Sequence, residues 1–210
     1  MIVTKTQQLS SSRTRIYLDE EIAFVLYKGE LRFYGIREGS EITDTLWQDI
    51  CENVLKKRAR LLSMNLLKER DYPQQALLNK LITGGYPPFI AQDALEYVKS
   101  YGYVDDRRYA KDYIENQSGK KSLRRIREDL ARKGLSRDLV EEILTDTEEE
   151  NLQDNDLTLA CHLLSKKKYD PQTADFKEKQ RIAAWLYRKG IRAEVIKKAM
   201  EADFDLCIYT

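Results

Sequence analysis

Several features of common protein classes are absent from this sequence of 210 residues. The three cysteines, Cys51, Cys161 and Cys207, lie far apart, so neither a disulfide framework nor a Cys-x-x-Cys metal pair is encoded. The single histidine, His162, cannot form a histidine-rich zinc site. No segment approaches the roughly 18 consecutive apolar residues of a membrane-spanning helix. These absences argue against a disulfide-stabilised, a histidine-rich metal-binding or a membrane-spanning protein.

Signatures of catalysis and of export are missing as well. The sequence contains no Gly-x-Ser-x-Gly, no P-loop and no Gly-x-Gly-x-x-Gly motif. Residues 1–15 are polar and lack the apolar stretch of a signal peptide. We therefore expect a cytoplasmic protein that is not an enzyme and uses no cofactor or metal.

What the sequence does contain is charge, and the charge is segregated. The totals of 36 basic and 35 acidic residues nearly cancel, and a hydrophobic fraction of 42% is sufficient for a folded core. Residues 107–137, however, hold eleven basic and four acidic side chains, whereas residues 138–156 hold nine acidic and no basic ones. Such blocks predict a cationic and an anionic face. The cationic face would meet nucleic acid, an acidic protein or its own acidic neighbour.

The first 45 residues differ from the rest of the chain. Short β-branched and aromatic runs at 15–18, 22–26 and 31–36 are separated by the polar turns 19–21 and 28–30. This pattern predicts a small antiparallel meander of two or three strands over residues 15–36. From Asp44 onward, apolar residues recur at the three- and four-residue spacings of helices.

A self-comparison of the helical part reveals an internal repeat. The segment from Ile126 to Leu144 matches Ile182 to Met200 at an offset of 56 residues without gaps, and an offset of 49 relates residues 77–95 to 126–144. In each copy a helix ends at a glycine, a large apolar residue follows, and a second helix begins, as at Pro87 or after the N-cap candidate Ser136. Further helices are predicted upstream at 57–68, 106–114 and 157–167.

These units predict a mainly α fold of three tandem three-helix, helix-turn-helix-like repeats, preceded by the β meander. A unit of about 40 residues buries too little surface to be stable alone, so we expect the units to stack into an elongated array. The predicted organisation is a β-rich extension at 1–45 and repeats at 46–104, 105–147 and 148–210. The acidic stretch 145–156 is the expected linker and hinge before the third repeat.

The best candidate binding surface is the cationic face of the second and third repeats. On a helical wheel Lys121, Arg125 and Arg132 lie opposite the apolar side of their helix, and guanidinium groups in a row suit phosphates or carboxylates. We favour binding over a merely solvated face because four acids cannot neutralise eleven bases. For the third repeat, a continuation of the stripe and simple helix-dipole compensation are equally compatible with the sequence. The candidate binding residues are Arg108, Lys120, Lys121, Arg124, Arg125, Arg132, Lys133, Lys167, Lys168, Arg181, Arg188 and Lys189.

The segment Tyr101–Ala110 is the most distinctive string in the chain. We expect Gly102 to end a helix, Tyr103 and Val104 to pack, and Asp105 or Asp106 to cap the next helix rather than to form a catalytic pair. Core packing is the expectation for the aromatic residues here and elsewhere, although stacking on single-stranded nucleic acid stays open. The residues concerned are Tyr97, Tyr103, Tyr109 and Trp185.

The string Gly-Tyr-Val-Asp-Asp-Arg-Arg-Tyr-Ala at 102–110 and the Leu-x-x-Lys-Gly turns at 130–135 and 186–191 resemble the bacterial RecX regulatory proteins. The resemblance spans about residues 59–200, and the first 45 residues resemble the amino-terminal extension of longer members. It implies structural roles for Gly102, Tyr103, Asp105, Asp106, Tyr109, Gly134 and Gly190.

The resemblance implies three helical repeats in an elongated, curved molecule that binds the RecA–DNA nucleoprotein filament. Members of the family inhibit strand exchange and ATP hydrolysis by RecA and promote filament disassembly. The expected partners are the RecA filament and single- or double-stranded DNA, bound weakly and in a salt-dependent way by a monomer, with no membrane partner. The alternatives are a helix-turn-helix module that binds duplex DNA directly and an enzyme built around Asp105 and Asp106.

Overall fold

A computed structural model describes residues 1–146 and 149–201, including all their side chains except those of 22–23 and 149–154. Cys207 therefore lies outside the described residues. The chain forms two compact units, Met1–Asp105 and Asp106–Thr210.

The first unit begins with a three-stranded antiparallel sheet in the order β1-β2-β3, which confirms the predicted meander. The strands are β1 (Val3–Gln8), β2 (Arg13–Leu18) and β3 (Glu21–Tyr27). Asp19 and Glu20 connect the last two strands with φ angles of 48° and 72°, the backbone of a hairpin turn that matches the twist of its strands. One face of the sheet, including Ile16, Phe24 and Leu26, is fully buried.

Two elements of this sheet differ from the sequence prediction. Residues 31–36 were expected to form a strand, but helix α1 (Lys28–Phe33) occupies this region. The carboxylate of Glu30 accepts a hydrogen bond from the backbone N–H of Tyr27 at 2.7 Å and pairs with Arg58 at 3.0 Å, which closes the first helical turn. Strand β1 was missed because only Val3 in this polar segment is buried, so it carries no alternating apolar pattern.

The first repeat shares one hydrophobic core with the sheet. Its elements are α2 (Asp44–Asp49), a π-helical segment (Ile50–Lys56), α3 (Lys57–Glu69), α4 (Gln74–Thr83) and α5 (Pro88–Ser100). The buried face of the sheet contributes Phe24 and Leu26 to a cluster with Leu55, Leu77 and Ile90. The sheet thus supplies apolar surface that the first repeat would otherwise leave exposed.

The second unit contains the other two repeats, each with its own core. The second repeat consists of α6 (Asp106–Gln117), α7 (Leu123–Arg132) and α8 (Arg137–Asp146), and the third of α9 (Glu149–Lys166), α10 (Phe176–Arg188) and α11 (Ala193–Glu201). Helix α9 begins eight residues before the predicted start, inside the acidic stretch expected as a linker. Acidic residues in a first helical turn interact favourably with the helix dipole. The hinge expected at 145–156 includes residues 147–148, which lie outside the described part of the chain.

The predicted glycine turns are confirmed in all three repeats. Gly85, Gly134 and Gly190 have φ angles of 95°, 90° and 96°. In each case the N–H of the next residue bonds back to the carbonyl five residues earlier, at 3.2–3.3 Å, which is the Schellman arrangement of a helix end. The residues that donate this bond, Tyr86, Leu135 and Ile191, are buried. The repeat detected in the sequence is therefore one helix-stop geometry used three times.

Candidate nucleic-acid interface

Helix α7 carries three of the predicted binding residues, Arg124, Arg125 and Arg132, and its start is held by two polar groups. The hydroxyl of Ser122 caps the helix by accepting from the N–H of Arg125 at 3.4 Å. The carboxylate of Asp156, on α9 of the third repeat, accepts from the N–H of Leu123 at 3.0 Å. Asp156 is only 2% exposed, and this burial raises the pKa of its carboxyl, an effect opposed by the Leu123 hydrogen bond and by the charges of Arg192 and Arg127.

Two of the predicted binding arginines cross from α7 to the end of α10. The guanidinium of Arg124 donates to the carbonyl of Tyr187 at 3.1 Å, and that of Arg125 donates to the carbonyl of Arg188 at 3.2 Å. The hydroxyl of Ser122 donates to the next carbonyl, of Lys189, at 2.9 Å. Carbonyls in the last turn of a helix have no partner inside the helix and lie at the negative end of its dipole. These arginines therefore join the second repeat to the third.

Close approach at this junction depends on Gly190. A Cβ atom built on this residue would lie 2.3 Å from the Ser122 hydroxyl oxygen and 3.2 Å from Cγ of Arg125. Gly190 is buried, whereas its counterpart Gly134 in the second repeat is exposed. The sequence predicted the helix stop at Gly190, and the structure adds a packing requirement to it.

A second cationic group surrounds Asp129 on the same repeat. Its carboxylate pairs with Lys121 at 2.6 Å, accepts a hydrogen bond from the hydroxyl of Tyr113 at 2.9 Å and also pairs with Arg132. The hydrogen bond from Lys121 is the largest influence that lowers the pKa of Asp129 to about 2. The ammonium of Lys133 lies 5.4 Å from the Tyr113 ring centroid. One half-buried acid thus holds two of these cations, Lys121 and Arg132, and a positive excess remains.

The third repeat presents cations around an indole. The ammonium groups of Lys167 and Lys189 lie 5.3 and 5.9 Å from the ring centroid of Trp185. Such contacts orient a lysine while its charge stays exposed. Lys168, in the left-handed region at φ 53°, follows directly. Arg181 is 74% exposed at its side chain and pairs with Glu178 at 3.2 Å.

The structure brings some of the candidate residues together and leaves others apart. At the junction between the two repeats, Arg124 and Arg125 contact the backbone carbonyls of Tyr187 and Arg188. Lys121 and Arg132 meet at Asp129. Most of the set is exposed, with only Lys121 and Lys133 half-buried. In the described contacts, Lys120, Lys168 and Arg181 touch no other candidate, and Arg108 is exposed on α6.

Sequence reasoning missed Asp156 as part of this region. It counted Asp156 among the acids of a linker, since the contact with Leu123 spans 33 positions and no local pattern announces it. Tyr109 and Trp185, which contact lysines, were expected in the core. Each packs against the core of its repeat but is only half-buried, so part of the ring stays accessible to a lysine. A basic residue near an aromatic one in the Lys-Gly turns was the only sequence signal for these contacts.

The distinctive string at 102–110 adopts part of the expected arrangement. Gly102 ends helix α5 with φ 70°, and Val104 is buried. Helix α6 begins at Asp106, so that Asp105 directly precedes its first turn. Tyr103 differs from the expectation of core packing: it is 49% exposed and stacks against Tyr101, with ring centroids 6.0 Å apart. Contact with a neighbouring ring contributes favourable free energy, so exposure costs a paired aromatic ring less free energy than an isolated one.

Neither a membrane span nor a metal-binding cluster occurs among the described residues. No helix there is long and apolar enough to cross a membrane. In the same part of the chain, His, Cys, Asp and Glu side chains form no group of three that could hold a metal ion.

Three-helix repeats whose helices end at glycines, together with a small sheet and a cationic candidate surface on the last two repeats, define a helical repeat protein. Residues 105–144 match the family model for the second three-helix domain of RecX, and residues 154–200 match that for its third. The chain belongs to the RecX family.

Full-length relatives and solved structures agree with this assignment. A protein of Trichlorobacter lovleyi named regulatory protein RecX is 31% identical over 67% of this chain and 92% of its own length. A protein of the same name from Caldanaerobacter subterraneus is 27% identical over 95% of this chain and 98% of its own. A crystal structure of regulatory protein RecX shares the fold with a TM-score of 0.62 at 20% identity, over 96% of this chain and 99% of that one. A RecX structure from Lactobacillus salivarius has a TM-score of 0.59 at 18% identity, over 72% of this chain and 97% of that one.

Proposed function

We propose that this protein regulates the RecA recombinase by binding RecA–DNA filaments through the cationic surface of its second and third repeats. The observation that carries the proposal is the junction between the two cationic repeats, where the guanidinium groups of Arg124 and Arg125 reach the backbone carbonyls of Tyr187 and Arg188. Membership of a family of regulatory proteins named RecX supports the choice of partner.

The arginines and lysines of this surface have different roles. Arg124 and Arg125 donate to helix-end carbonyls and so hold two repeats together, yet about 45% of each side chain stays exposed to a ligand. Aromatic rings orient Lys133 and Lys167, and among the described residues neither lysine forms an ion pair with an acid. We therefore assign the phosphate contacts mainly to the lysines. The arginines fix the distance between the cations of the second repeat and those of the third.

In this proposal the protein acts by occupancy, as a cytoplasmic monomer without a cofactor. Contacts with several filament subunits and with their DNA phosphates inhibit ATP hydrolysis and strand exchange, and favour disassembly. The phosphate contacts release counterions, so the affinity for filaments falls as salt rises, by roughly 0.7–0.9 logarithmic units per contact for each tenfold increase in salt.

The test is the single-stranded-DNA-dependent ATP hydrolysis of RecA, titrated with substoichiometric amounts of this protein. We compare the wild type with a variant carrying Lys133→Ala, Lys167→Ala and Lys168→Ala. The matched control carries Lys111→Ala, Lys177→Ala and Lys179→Ala, which removes the same charge from exposed positions of the same unit outside the candidate set. We expect inhibition by the wild type and the control, and at least tenfold weaker inhibition by the test variant.

Other outcomes separate the alternatives. Equal inhibition by all three proteins would place the filament contact elsewhere and remove this surface from the proposal. No inhibition by any of them, together with binding to duplex DNA that prefers a base sequence, would favour the direct DNA-binding module instead.

A further inference from the structure

The first unit contains a cavity of about 380 Å³ between the sheet and the first repeat. Arg13 of β2 and Tyr27 of β3 form one wall, the outer face of α3 forms another, and the end of α4 closes it. The volume is within the range of ligand and peptide pockets. All the residues that line the cavity belong to the unit Met1–Asp105, whereas the cationic surface described above belongs to the other unit.

The charged side chains that line this cavity are all basic: Arg13, Arg58 and Lys80. Arg58 is compensated by Glu30, at 3.0 Å, outside the lining. Arg13 donates to the carbonyl of Gly84 at 3.0 Å. Across the described residues, neither Arg13 nor Lys80 makes an ion pair with a carboxylate. The cavity therefore carries two positive charges without a counter-charge, which favours an anionic ligand.

Three of the five residues that α3 contributes to the lining are leucines, Leu61, Leu62 and Leu66, beside Arg58 and Asn65. Leu61 is 59% exposed, although it lies beside the half-buried Leu62 and Leu66. Covering exposed leucine side chains at the rim of a cavity with an apolar group lowers the free energy, because apolar surface is removed from water. The ligand that this wall suits has an aliphatic part next to its negative charge.

The aromatic residues of the cavity are already engaged. The guanidinium carbon of Arg58 lies 4.8 Å from the ring centroid of Tyr27 and 5.7 Å from that of Tyr86. Tyr86 is also buried, at 8% exposure. Tyr27 is 41% exposed, but the guanidinium of Arg58 lies over its ring. Stacking of nucleic acid bases requires accessible ring faces, so this arrangement favours a peptide over a nucleic acid.

We propose that this cavity binds an acidic peptide segment of a partner protein, in which carboxylates flank an aliphatic side chain. The carboxylates contact Arg13 and Lys80, and the aliphatic side chain covers Leu61 and Leu62. This site goes beyond the regulatory function proposed above, because it belongs to a different unit and needs no DNA.

The test measures binding of a fluorescein-labelled peptide of two Asp-Leu-Asp triplets to the full-length protein by fluorescence anisotropy. Two control peptides replace every aspartate by asparagine or every leucine by serine. We expect binding of the acidic, leucine-containing peptide, and at least tenfold weaker binding of both controls. Equal binding of all three peptides would refute the proposed chemistry.

Protein variants then locate the site. Lys80→Glu and Leu61→Asp alter exposed residues of the cavity, while Lys68→Glu and Ile82→Asp make the same changes on the same two helices outside it. We expect at least a tenfold loss of peptide affinity for the first pair and less than twofold for the second, with unchanged far-ultraviolet circular dichroism in all four. Equal losses in both pairs would overturn the assignment.

A labelled oligothymidine gives the competing outcome. If it binds, if Lys80→Glu abolishes that binding, and if no peptide binds, the cavity is a nucleic acid subsite and the proposal fails. The assay contains no recombinase, so its failure leaves the filament proposal intact, and failure of the ATP hydrolysis test leaves the peptide proposal intact.

Discussion

Replacement of Gly190 by alanine should destabilise the second unit for two separable reasons. Its φ of 96° lies in the left-handed region, where a side chain costs about 1–2 kcal/mol. The added Cβ would also lie 2.3 Å from the hydroxyl oxygen of Ser122, and such overpacking costs about 1–3 kcal/mol. We therefore expect Gly190→Ala to lower the free energy of unfolding by about 2–5 kcal/mol. Urea unfolding followed by circular dichroism measures this change as a lower midpoint.

Gly119→Ala is the matched control for this prediction. Gly119 has a φ of 71°, and nothing lies within 4 Å of a Cβ built on it. This variant should therefore lose only the backbone part, about 1–2 kcal/mol.

A double variant isolates the contact itself. Ser122→Ala alone should cost about 1 kcal/mol through loss of the cap. Combined with Gly190→Ala, however, it removes the hydroxyl that the new methyl group meets. The double variant should be less destabilised than the sum of the two single variants. Equal losses for Gly190→Ala and Gly119→Ala, or strict additivity in the double variant, would refute this account of the junction.

Two further predictions concern the acids of the second unit. Asp156→Ala should lower the free energy of unfolding by about 1–3 kcal/mol because it leaves the buried N–H of Leu123 without an acceptor. Asp156→Asn should lower it less because the amide oxygen still accepts this hydrogen bond. Urea unfolding that ranks the two variants the other way would contradict the role assigned to Asp156. Asp129 has a folded-state pKa of about 2, below its ordinary value, so its ionised form stabilises the fold above about pH 4 and this contribution is lost as the pH falls toward 2. Asp129→Asn should accordingly be less stable than the wild type at pH 7, and the gap in unfolding midpoint should narrow below pH 4; a gap independent of pH would be evidence against the ion pair with Lys121.

The junction between the second and third repeats changes how the cationic segment is understood. Two of the guanidinium groups that the sequence places on α7, those of Arg124 and Arg125, turn toward the carbonyl end of α10 rather than only toward solvent. Alanine substitution of these arginines would disturb the junction and the binding surface together. Lysines outside the junction separate the two effects, which is why the functional test uses Lys133, Lys167 and Lys168.

Several parts of the fold could be predicted because their causes are local. A glycine after a helix, followed by a large apolar residue, specifies the Schellman turn without reference to the rest of the molecule, and all three such turns formed at the predicted positions. The cap predicted at Ser136 is local as well, since its hydroxyl accepts from the N–H of Leu139, three residues away. By contrast, β1 was missed and 31–36 misassigned, because a polar edge strand has no apolar period and because Glu30 finds Arg58 across 28 positions.

The repeat, the helix boundaries set by glycine and serine, and the concentration of positive charge in residues 107–137 can all be derived from the amino-acid sequence. The contacts that those charges make depend on the packing of the helices. A side chain's partner depends on which distant backbone groups the packing of helices brings within about 3 Å, and neither the pairing of Asp156 with Leu123 nor the cavity around Arg13 and Lys80 leaves a periodic trace in the chain. Helix-forming patterns act over a few residues, whereas electrostatic sites are assembled across tens of residues by the burial of apolar surface.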